Sequence, residues 1–239
     1  MNTVPTLSNL AKMIDLALLH PTMTDRDITT GCQIARQYHV ATVCIKPYAI
    51  PMVKDLLEGS DVDICPVIAF PHGNSTTSIK VNEALEAVLA GGQEIDMVIN
   101  IGKALKNDWD YVSSEIKAIN EVVVGNQAIL KVIFENDYLE DSHIIRLCQI
   151  CSEHQVAFVK TSSGFGFVKQ SNGMYDYQGA TDHHLKLMRK HSIPSVQIKA
   201  SGGIRNLEDL LRVRALGATR VGASAAKSIL EEAKQRGIG

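Results

Sequence analysis

Four segments with the composition of buried strands carry charged side chains where apolar ones are the rule. These segments are EIDMVIN (94–100), AILKVIFE (128–135), AFVKTS (157–162) and SVQIKAS (195–201), and their charged residues include Asp96, Lys131, Glu135, Lys160 and Lys199. An unpaired buried ammonium group is very costly, so such lysines need carboxylate partners, an altered pKa, or both. One interpretation is a structural ion network in which Asp96 and Glu135 neutralise the three lysines. Four consecutive strands with this feature favour a catalytic site instead.

Two neighbouring lysines indicate amine catalysis. A lysine amine is nucleophilic only when it is deprotonated, and a cationic neighbour in a dry site lowers its pKa toward neutrality. Lys160 as nucleophile, Lys199 as the neighbouring cation and Asp96 as proton shuttle form a suitable set. The pattern alone leaves open which lysine forms the covalent bond.

Glycines after two later strands indicate a phosphate site. One strand runs into ASGGIRN and the last ends in VGASAA, each directly before a helix. Glycine lets backbone N–H groups approach an anion, and helix N-termini attract it. The alternative is that tight strand-to-helix turns need glycine anyway. The candidate phosphate-binding residues of these two loops are Gly202, Gly203, Arg205, Gly222 and Ser224, and Gly164, after the sixth predicted strand, is a further candidate.

The elements that must position these residues alternate short β-branched runs with longer amphipathic ones. Strands are predicted at 13–18, 41–46, 63–70, 94–100, 128–135, 157–162, 195–201 and 219–224. Helices are predicted at 75–92 and 206–217, the latter capped by Asn206 and ended by Gly217. Eight strand–helix units in 239 residues predict a single-domain (β/α)8 TIM barrel over 1–239. A doubly wound open sheet is the rival, but it has fewer strands and few charges in them.

Composition argues against several classes of function. With 24 Lys and Arg against 26 Asp and Glu, the net charge of −2 gives no case for binding nucleic acid or an anionic membrane. We find no signal-peptide or transmembrane run and expect a cytoplasmic protein. Cys148 and Cys151 form a CxxC in an apolar helical stretch, which favours buried thiols over zinc or redox use. The histidines form no metal set, so neither a metal nor a cofactor is expected.

Six segments together resemble the deoxyribose-phosphate aldolase family. They are FPHGNSTTSIKVNEA, EIDMVINIG, LKVIFE, FVKTSSGFG, IKASGGIRNLEDL and GATRVGAS, in the family's order. The resemblance implies a metal-free aldolase on a TIM barrel. Such an enzyme reversibly cleaves 2-deoxy-D-ribose 5-phosphate to glyceraldehyde 3-phosphate and acetaldehyde in deoxynucleoside catabolism.

The resemblance also implies roles for particular residues. Lys160 matches the Schiff-base lysine, Lys199 the second lysine, and Asp96 the aspartate that works with it in proton transfer. Lys131 and Asp15 match further active-site positions. The expected partners are a small phosphosugar and a second copy of the chain, as a homodimer or other homo-oligomer.

The sequence departs from the family in places that put substrate preference in doubt. The first strand reads IDLALL where the family commonly has IDHTLL, strand five ends in IFEN rather than IIET, and Ala225 replaces a serine. Three alternatives therefore remain: a Schiff-base aldolase with other aldehydes, a non-catalytic phosphosugar-binding barrel, and a phosphosugar isomerase on the same fold. The isomerase would need a carboxylate base in place of an amine.

An extension follows the sixth predicted strand. Residues 165–179 contain two aromatic runs on either side of Asn172-Gly173, a dipeptide typical of hairpin turns. We predict a short β-hairpin over the barrel mouth, either as a partial lid, with Lys169 near the substrate phosphate, or as a contact with a neighbouring subunit.

Overall fold

The computed structural model describes residues 5–239, in which eight parallel strands close into a barrel. Around the barrel the strand order is β1-β10-β9-β6-β5-β4-β3-β2. The strands are β1 (Ile14–Leu18), β2 (Thr42–Ile45), β3 (Asp63–Ile68), β4 (Glu94–Val98), β5 (Ile129–Ile133), β6 (Phe158–Lys160), β9 (Gln197–Ser201) and β10 (Arg220–Ala223). Two further strands, β7 (Val168–Lys169) and β8 (Tyr175–Asp176), form an antiparallel hairpin outside the barrel.

Helices follow the barrel strands and cover their outer faces, and one more helix precedes β1. They are α1 (Leu7–Ala11), α2 (Asp25–Tyr38), α3 (Ile50–Leu57), α4 (Thr77–Ala90), α5 (Ile101–Leu105), α6 (Trp109–Gly125), α7 (Asp141–Glu153), α8 (Asp182–His191), α9 (Leu207–Ala215) and α10 (Ala226–Gln235). Short 3-10 turns lie at Pro47–Ala49 and Asn136–Tyr138. No helix within residues 5–239 combines the length and apolarity needed to cross a membrane.

The predicted barrel is confirmed, and every predicted barrel strand is present with ends that differ by at most two residues. Asn206 caps α9 as predicted, because its side chain accepts a hydrogen bond from the backbone N–H of Asp209 at 2.9 Å. Strands were predicted too long mainly at their carboxyl ends, where the chain turns away into the loops. Glu135, for example, has a left-handed backbone with φ +61° and lies beyond the end of β5.

The main apolar core lies between the barrel and the helices. Ile95, Leu130, Val159 and Ile198 are fully buried there. Side chains alternate along a strand, so the residue that follows each of these points inward. These inward-pointing residues are Asp96, Lys131, Lys160 and Lys199. The strands thus direct apolar side chains toward the helices and polar side chains into the barrel interior.

Candidate active site

Asp96 lies at the centre of a buried ion network inside the barrel. Its Oδ2 accepts from Nζ of Lys160 at 2.6 Å and from Nζ of Lys199 at 2.7 Å, and its Oδ1 accepts from Nζ of Lys131 at 3.0 Å. The register explains this meeting. Lys160 is paired with Lys199 across β6 and β9, and Asp96 is paired with Lys131 across β4 and β5.

A second layer of charges lies toward the amino ends of the strands. Lys131 contacts Asp15 at 3.2 Å and Glu94 at 2.5 Å, and Arg220 contacts the same two carboxylates at 2.6 and 2.8 Å. Asp15 also pairs with Lys199, which joins the two layers. Sequence reasoning missed Arg220, although a charge on the last predicted strand was the same signal that revealed the lysines.

The network holds more cations than carboxylates. Its four cations are Lys131, Lys160, Lys199 and Arg220, and its three carboxylates are Asp15, Glu94 and Asp96. Lys131 pairs with all three carboxylates, and Lys199 and Arg220 with two each. Among residues 5–239, Lys160 pairs with Asp96 alone. Lys160 is thus the network lysine with the fewest carboxylate partners.

The network sets the ionisation of its members. Burial opposes the charged form of Asp96, but Lys131, Lys160 and Lys199 outweigh it and hold the pKa of Asp96 well below its ordinary value. Burial likewise opposes the ammonium form of Lys199, but Asp15 and Asp96 outweigh it and raise the pKa of Lys199. Lys199 therefore stays cationic near neutral pH, and Asp96 stays a carboxylate.

Two thiols complete the interior beside Asp96. Cys65 lies 3.1 Å from Asp96 Oδ1 and 3.0 Å from Nζ of Lys131, and Cys44 is its neighbour on β2. Ligand atoms of Cys44, Cys65 and Asp96 lie within 4.8 Å of one another, as in a metal site. However, Asp96 already accepts from three ammonium groups, and their charge opposes a divalent cation. The arrangement suits amine chemistry better than metal chemistry.

The contacts of Glu135 contradict one interpretation of the sequence. In the structural-network interpretation Glu135 helps to neutralise the lysines, but it forms no ion pair within residues 5–239. Because the chain leaves β5 with a left-handed backbone at this residue, its side chain no longer follows the strand's alternation. Its carboxylate instead accepts from the backbone N–H of Ser163 at 3.0 Å and from the Ser163 hydroxyl. Glu135 therefore fixes the loop that follows Lys160.

Threonine 161 joins the two strands that carry the paired lysines. Thr161 accepts from the backbone N–H of Ser201 at 3.0 Å and donates through its hydroxyl to the Ser201 carbonyl at 2.9 Å. Its own N–H donates to the carbonyl of Lys199 at 3.2 Å. These bonds lie just past the network, so they fix the spacing of Lys160 and Lys199 at the carboxyl end of the barrel.

All six candidate phosphate residues line one cavity of about 660 Å³ at the carboxyl ends of the strands. These are Gly164, Gly202, Gly203, Arg205, Gly222 and Ser224. The buried network lies deeper in the barrel than this cavity, nearer the amino ends of the strands. Ser201, which shares the inward face of β9 with Lys199, forms part of the lining, as does Ser163 from the loop after Lys160. Among the network lysines only Lys160 keeps measurable exposure, 2%, against 0% for Lys131 and Lys199.

The predicted hairpin is present as β7 and β8, with Gly173 at φ +82° in its turn. Phe165, Phe167 and Tyr177 line the same cavity as the phosphate candidates. Lys169 is exposed, is paired in register with Tyr175, and is not part of the lining. The base of the hairpin therefore forms a wall of the cavity, while its tip projects away.

The profile of one protein family, described as DeoC/LacD family aldolase, matches residues 9–231. A deoxyribose-phosphate aldolase of Rhodopirellula baltica is 46% identical over 228 residues, 95% of this chain and 90% of the relative. A deoxyribose-phosphate aldolase of Caldanaerobacter subterraneus subsp. tengcongensis is 43% identical over 234 residues, 98% of this chain and 97% of the relative.

Solved aldolase structures are similar to this chain as well. The deoxyribose phosphate aldolase of Aeropyrum pernix, described as a unique tetramer, superposes with a TM-score of 0.85 at 27% identity, covering 97% of this chain and 93% of the other. An aldolase called QR15 superposes with a TM-score of 0.86 at 34% identity, covering 95% and 97%. The likeness thus extends over nearly the whole of each chain.

Proposed function

The chain belongs to the DeoC/LacD family of aldolases, and we propose that it is a Schiff-base aldolase. Its substrate is 2-deoxy-D-ribose 5-phosphate, which it cleaves reversibly to D-glyceraldehyde 3-phosphate and acetaldehyde. The observation that carries the proposal is the convergence of Lys160 and Lys199 on one oxygen of Asp96, at 2.6 and 2.7 Å, below a cavity lined by glycines. Deoxynucleoside catabolism and a cytoplasmic location remain predictions from the sequence.

The chemistry follows from the charge balance of the network. Lys160, the lysine with a single carboxylate partner among residues 5–239, attacks the substrate aldehyde as a neutral amine, and loss of water gives an iminium ion. Removal of the proton from the C3 hydroxyl breaks the C2–C3 bond, and its electrons pass into the iminium to give an enamine. Glyceraldehyde 3-phosphate leaves. Protonation of the enamine and hydrolysis then release acetaldehyde and restore the amine.

Lys199 and Asp96 serve this sequence in different ways. Lys199 is held in its cationic form by Asp15 and Asp96, so it places a positive charge beside the amine of Lys160. Asp96 contacts both lysines through one oxygen and can pass a proton between them and the reacting carbon. Lys131 and Asp15 contact Asp96 and Lys199, respectively, and act as positioning residues for them.

The alternatives fit the site less well. A phosphosugar isomerase needs a free carboxylate base, but the carboxylates of this network are all engaged by cations, and Glu135 accepts hydrogen bonds from Ser163. A non-catalytic binding barrel gives no reason to bury three lysines at a cost in stability. A Schiff-base aldolase for other aldehydes would use the same residues, so an assay must separate it from the proposed function.

Cleavage of deoxyribose 5-phosphate, detected by coupled oxidation of NADH, tests the proposal directly. A panel of other aldol phosphates run beside it identifies a different donor or acceptor. Lys160→Leu should abolish turnover, and Lys169→Leu, which removes an exposed lysine nine residues further along, is the matched control. No turnover of deoxyribose 5-phosphate with clear turnover of another aldol would overturn the proposed substrate and keep the reaction class.

We also propose that the chain forms a homo-oligomer. The Aeropyrum pernix relative is described as tetrameric. Helix α4 exposes Ile79, Leu85 and Leu89, with 69% of Leu89 accessible in the single chain. Light scattering during size-exclusion chromatography gives the molecular mass, and a mass of one chain would contradict the proposal.

A further inference from the structure

Two aromatic residues at the base of the hairpin form part of the wall of the substrate cavity. Phe167 lies just before β7 and Tyr177 just after β8, and their rings meet edge to face with centroids 5.3 Å apart. Both line the cavity that contains Gly202, Gly203 and Ser224. The proposed function gives neither residue a role.

Backbone contacts fix this end of the hairpin. Asp137 accepts from the N–H groups of Gln178 and Gly179 at 2.6 and 3.1 Å, and Ala180 donates to the carbonyl of Gly202 at 3.1 Å. At the start of β7, the carbonyl of Phe167 accepts a hydrogen bond from the Tyr138 hydroxyl at 3.1 Å. Tyr177 is therefore held from both sides rather than carried on a free loop.

The ring of Tyr177 lies against the candidate phosphate loop. A Cβ atom placed on Gly202 would be 3.3 Å from Cε2 of Tyr177 and 2.9 Å from Cα of Gly179. Since Cε2 is bonded to the carbon that bears the hydroxyl, the polar end of the ring is the end next to Gly202. This hydroxyl has no hydrogen-bond partner within the described residues 5–239. An ordered phenol beside an anion site is a ready donor.

We propose that Tyr177 is a specificity-determining residue whose hydroxyl donates to the phosphate of the substrate. This inference rests on the proposed function, since it assigns the phosphate to the loops of Gly202, Gly203 and Ser224. Phe167 packs edge to face against the Tyr177 ring. The contact favours phosphorylated over free deoxyribose, because the same donor finds no anion in the unphosphorylated sugar.

The hairpin supplies its own controls. Tyr175 is a second tyrosine, two residues earlier, but it is 63% exposed and does not line the cavity. Tyr177→Phe removes only the hydroxyl and keeps the ring against Gly202. Tyr175→Phe makes the same chemical change without a neighbouring anion site.

Steady-state kinetics with deoxyribose 5-phosphate and with free 2-deoxyribose test the contact. Tyr177→Phe should raise the KM for the phosphorylated substrate by about tenfold, as expected for a lost hydrogen bond to a charged group, and change free deoxyribose by less than about twofold. Tyr175→Phe should leave both unchanged. Equal effects of Tyr177→Phe on both substrates, or no effect on either, would overturn the assignment.

A binding measurement separates this inference from the proposed function. In a thermal-shift titration with inorganic phosphate, Tyr177→Phe should weaken binding by a similar factor, while Tyr175→Phe binds as the wild type does. If neither sugar is cleaved but this difference remains, the proposed reaction fails and the phosphate contact stands. Equal phosphate affinity in wild type and Tyr177→Phe overturns the contact, whatever the enzyme cleaves.

Discussion

Lys160 and Lys199 are register partners on neighbouring strands and donate to the same oxygen, Oδ2 of Asp96. Two ammonium groups on one carboxylate oxygen repel each other, and this favours loss of one proton. Lys199 has Asp15 as a second carboxylate partner, whereas Lys160 pairs only with Asp96 within residues 5–239, and we therefore propose Lys160 as the nucleophile. The difference between these two otherwise similar lysines thus comes from Asp15 on β1, which is separated from the strand of Lys199 by β10 alone.

This asymmetry predicts where a substrate becomes covalently attached. Incubation with deoxyribose 5-phosphate or acetaldehyde and borohydride should reduce the imine and add the mass of a two-carbon unit after acetaldehyde. Peptide mapping should place the added mass on the peptide that contains Lys160. Modification confined to Lys199 or Lys131 would contradict the assignment, and protein treated with borohydride alone is the control.

Proton transfer should depend on Asp96. Asp96→Asn keeps the volume of the side chain but removes the negative charge that joins the lysines, so kcat should fall at least about a hundredfold. Deuterium exchange into the methyl group of acetaldehyde, in D2O without acceptor, reads the enamine step alone and should slow by a similar factor. Circular dichroism establishes that the variant is folded. Near-normal exchange in folded Asp96→Asn would mean that another group moves the proton.

Much of this site could be predicted from the sequence because barrel strands bury both faces. A lysine in such a strand costs free energy, so Lys131, Lys160 and Lys199 could be distinguished from the surface lysines. The alternation of side chains then placed them on inward faces, and the structure brings them together around Asp96.

The remaining features depend on where strands end and on tertiary contacts. Glu135 continues the alternation of β5 in sequence, but the chain turns to φ +61° there and its carboxylate is directed to Ser163. Strand pairing in the barrel brings together residues that are distant in sequence. It places Arg220 and the thiols of Cys44 and Cys65 beside the network. Lys169 lies in the extension near the barrel mouth, but its strand register leaves it in solvent.

An added negative charge in the phosphate loops should discriminate between substrates. Gly202 and Gly203 have φ +87° and +81°, where a side chain strains the backbone, so Ser224 is the better position for the test. Ser224→Asp should raise the KM for deoxyribose 5-phosphate at least about tenfold through charge repulsion and affect free deoxyribose much less. Ser228→Asp, on the exposed side of α10, adds the same charge outside that cavity. Equal loss with both substrates would assign Ser224 a structural role only.

Glu135 should make the stability of the protein depend on pH in a definite direction. Burial raises the pKa of this carboxyl above its ordinary value of 4.5, even though Ser163 hydrogen-bonds to it. The folded protein therefore binds the proton more tightly than the unfolded chain does. Its contribution to stability is complete below the ordinary pKa and is lost as the pH rises through the raised value.

Glu135→Gln removes this titration and keeps an oxygen that can accept from the Ser163 N–H. The melting temperature of the variant minus that of wild type should therefore increase between about pH 4.5 and pH 7.5. The reason is that only wild type loses the contribution of the Glu135 carboxyl over that range. Glu58→Gln, at the exposed end of α3, is the matched control and should show no such trend. A pH-independent difference between Glu135→Gln and wild type would mean that the hydrogen bonds from Ser163 fully compensate the burial of the carboxylate.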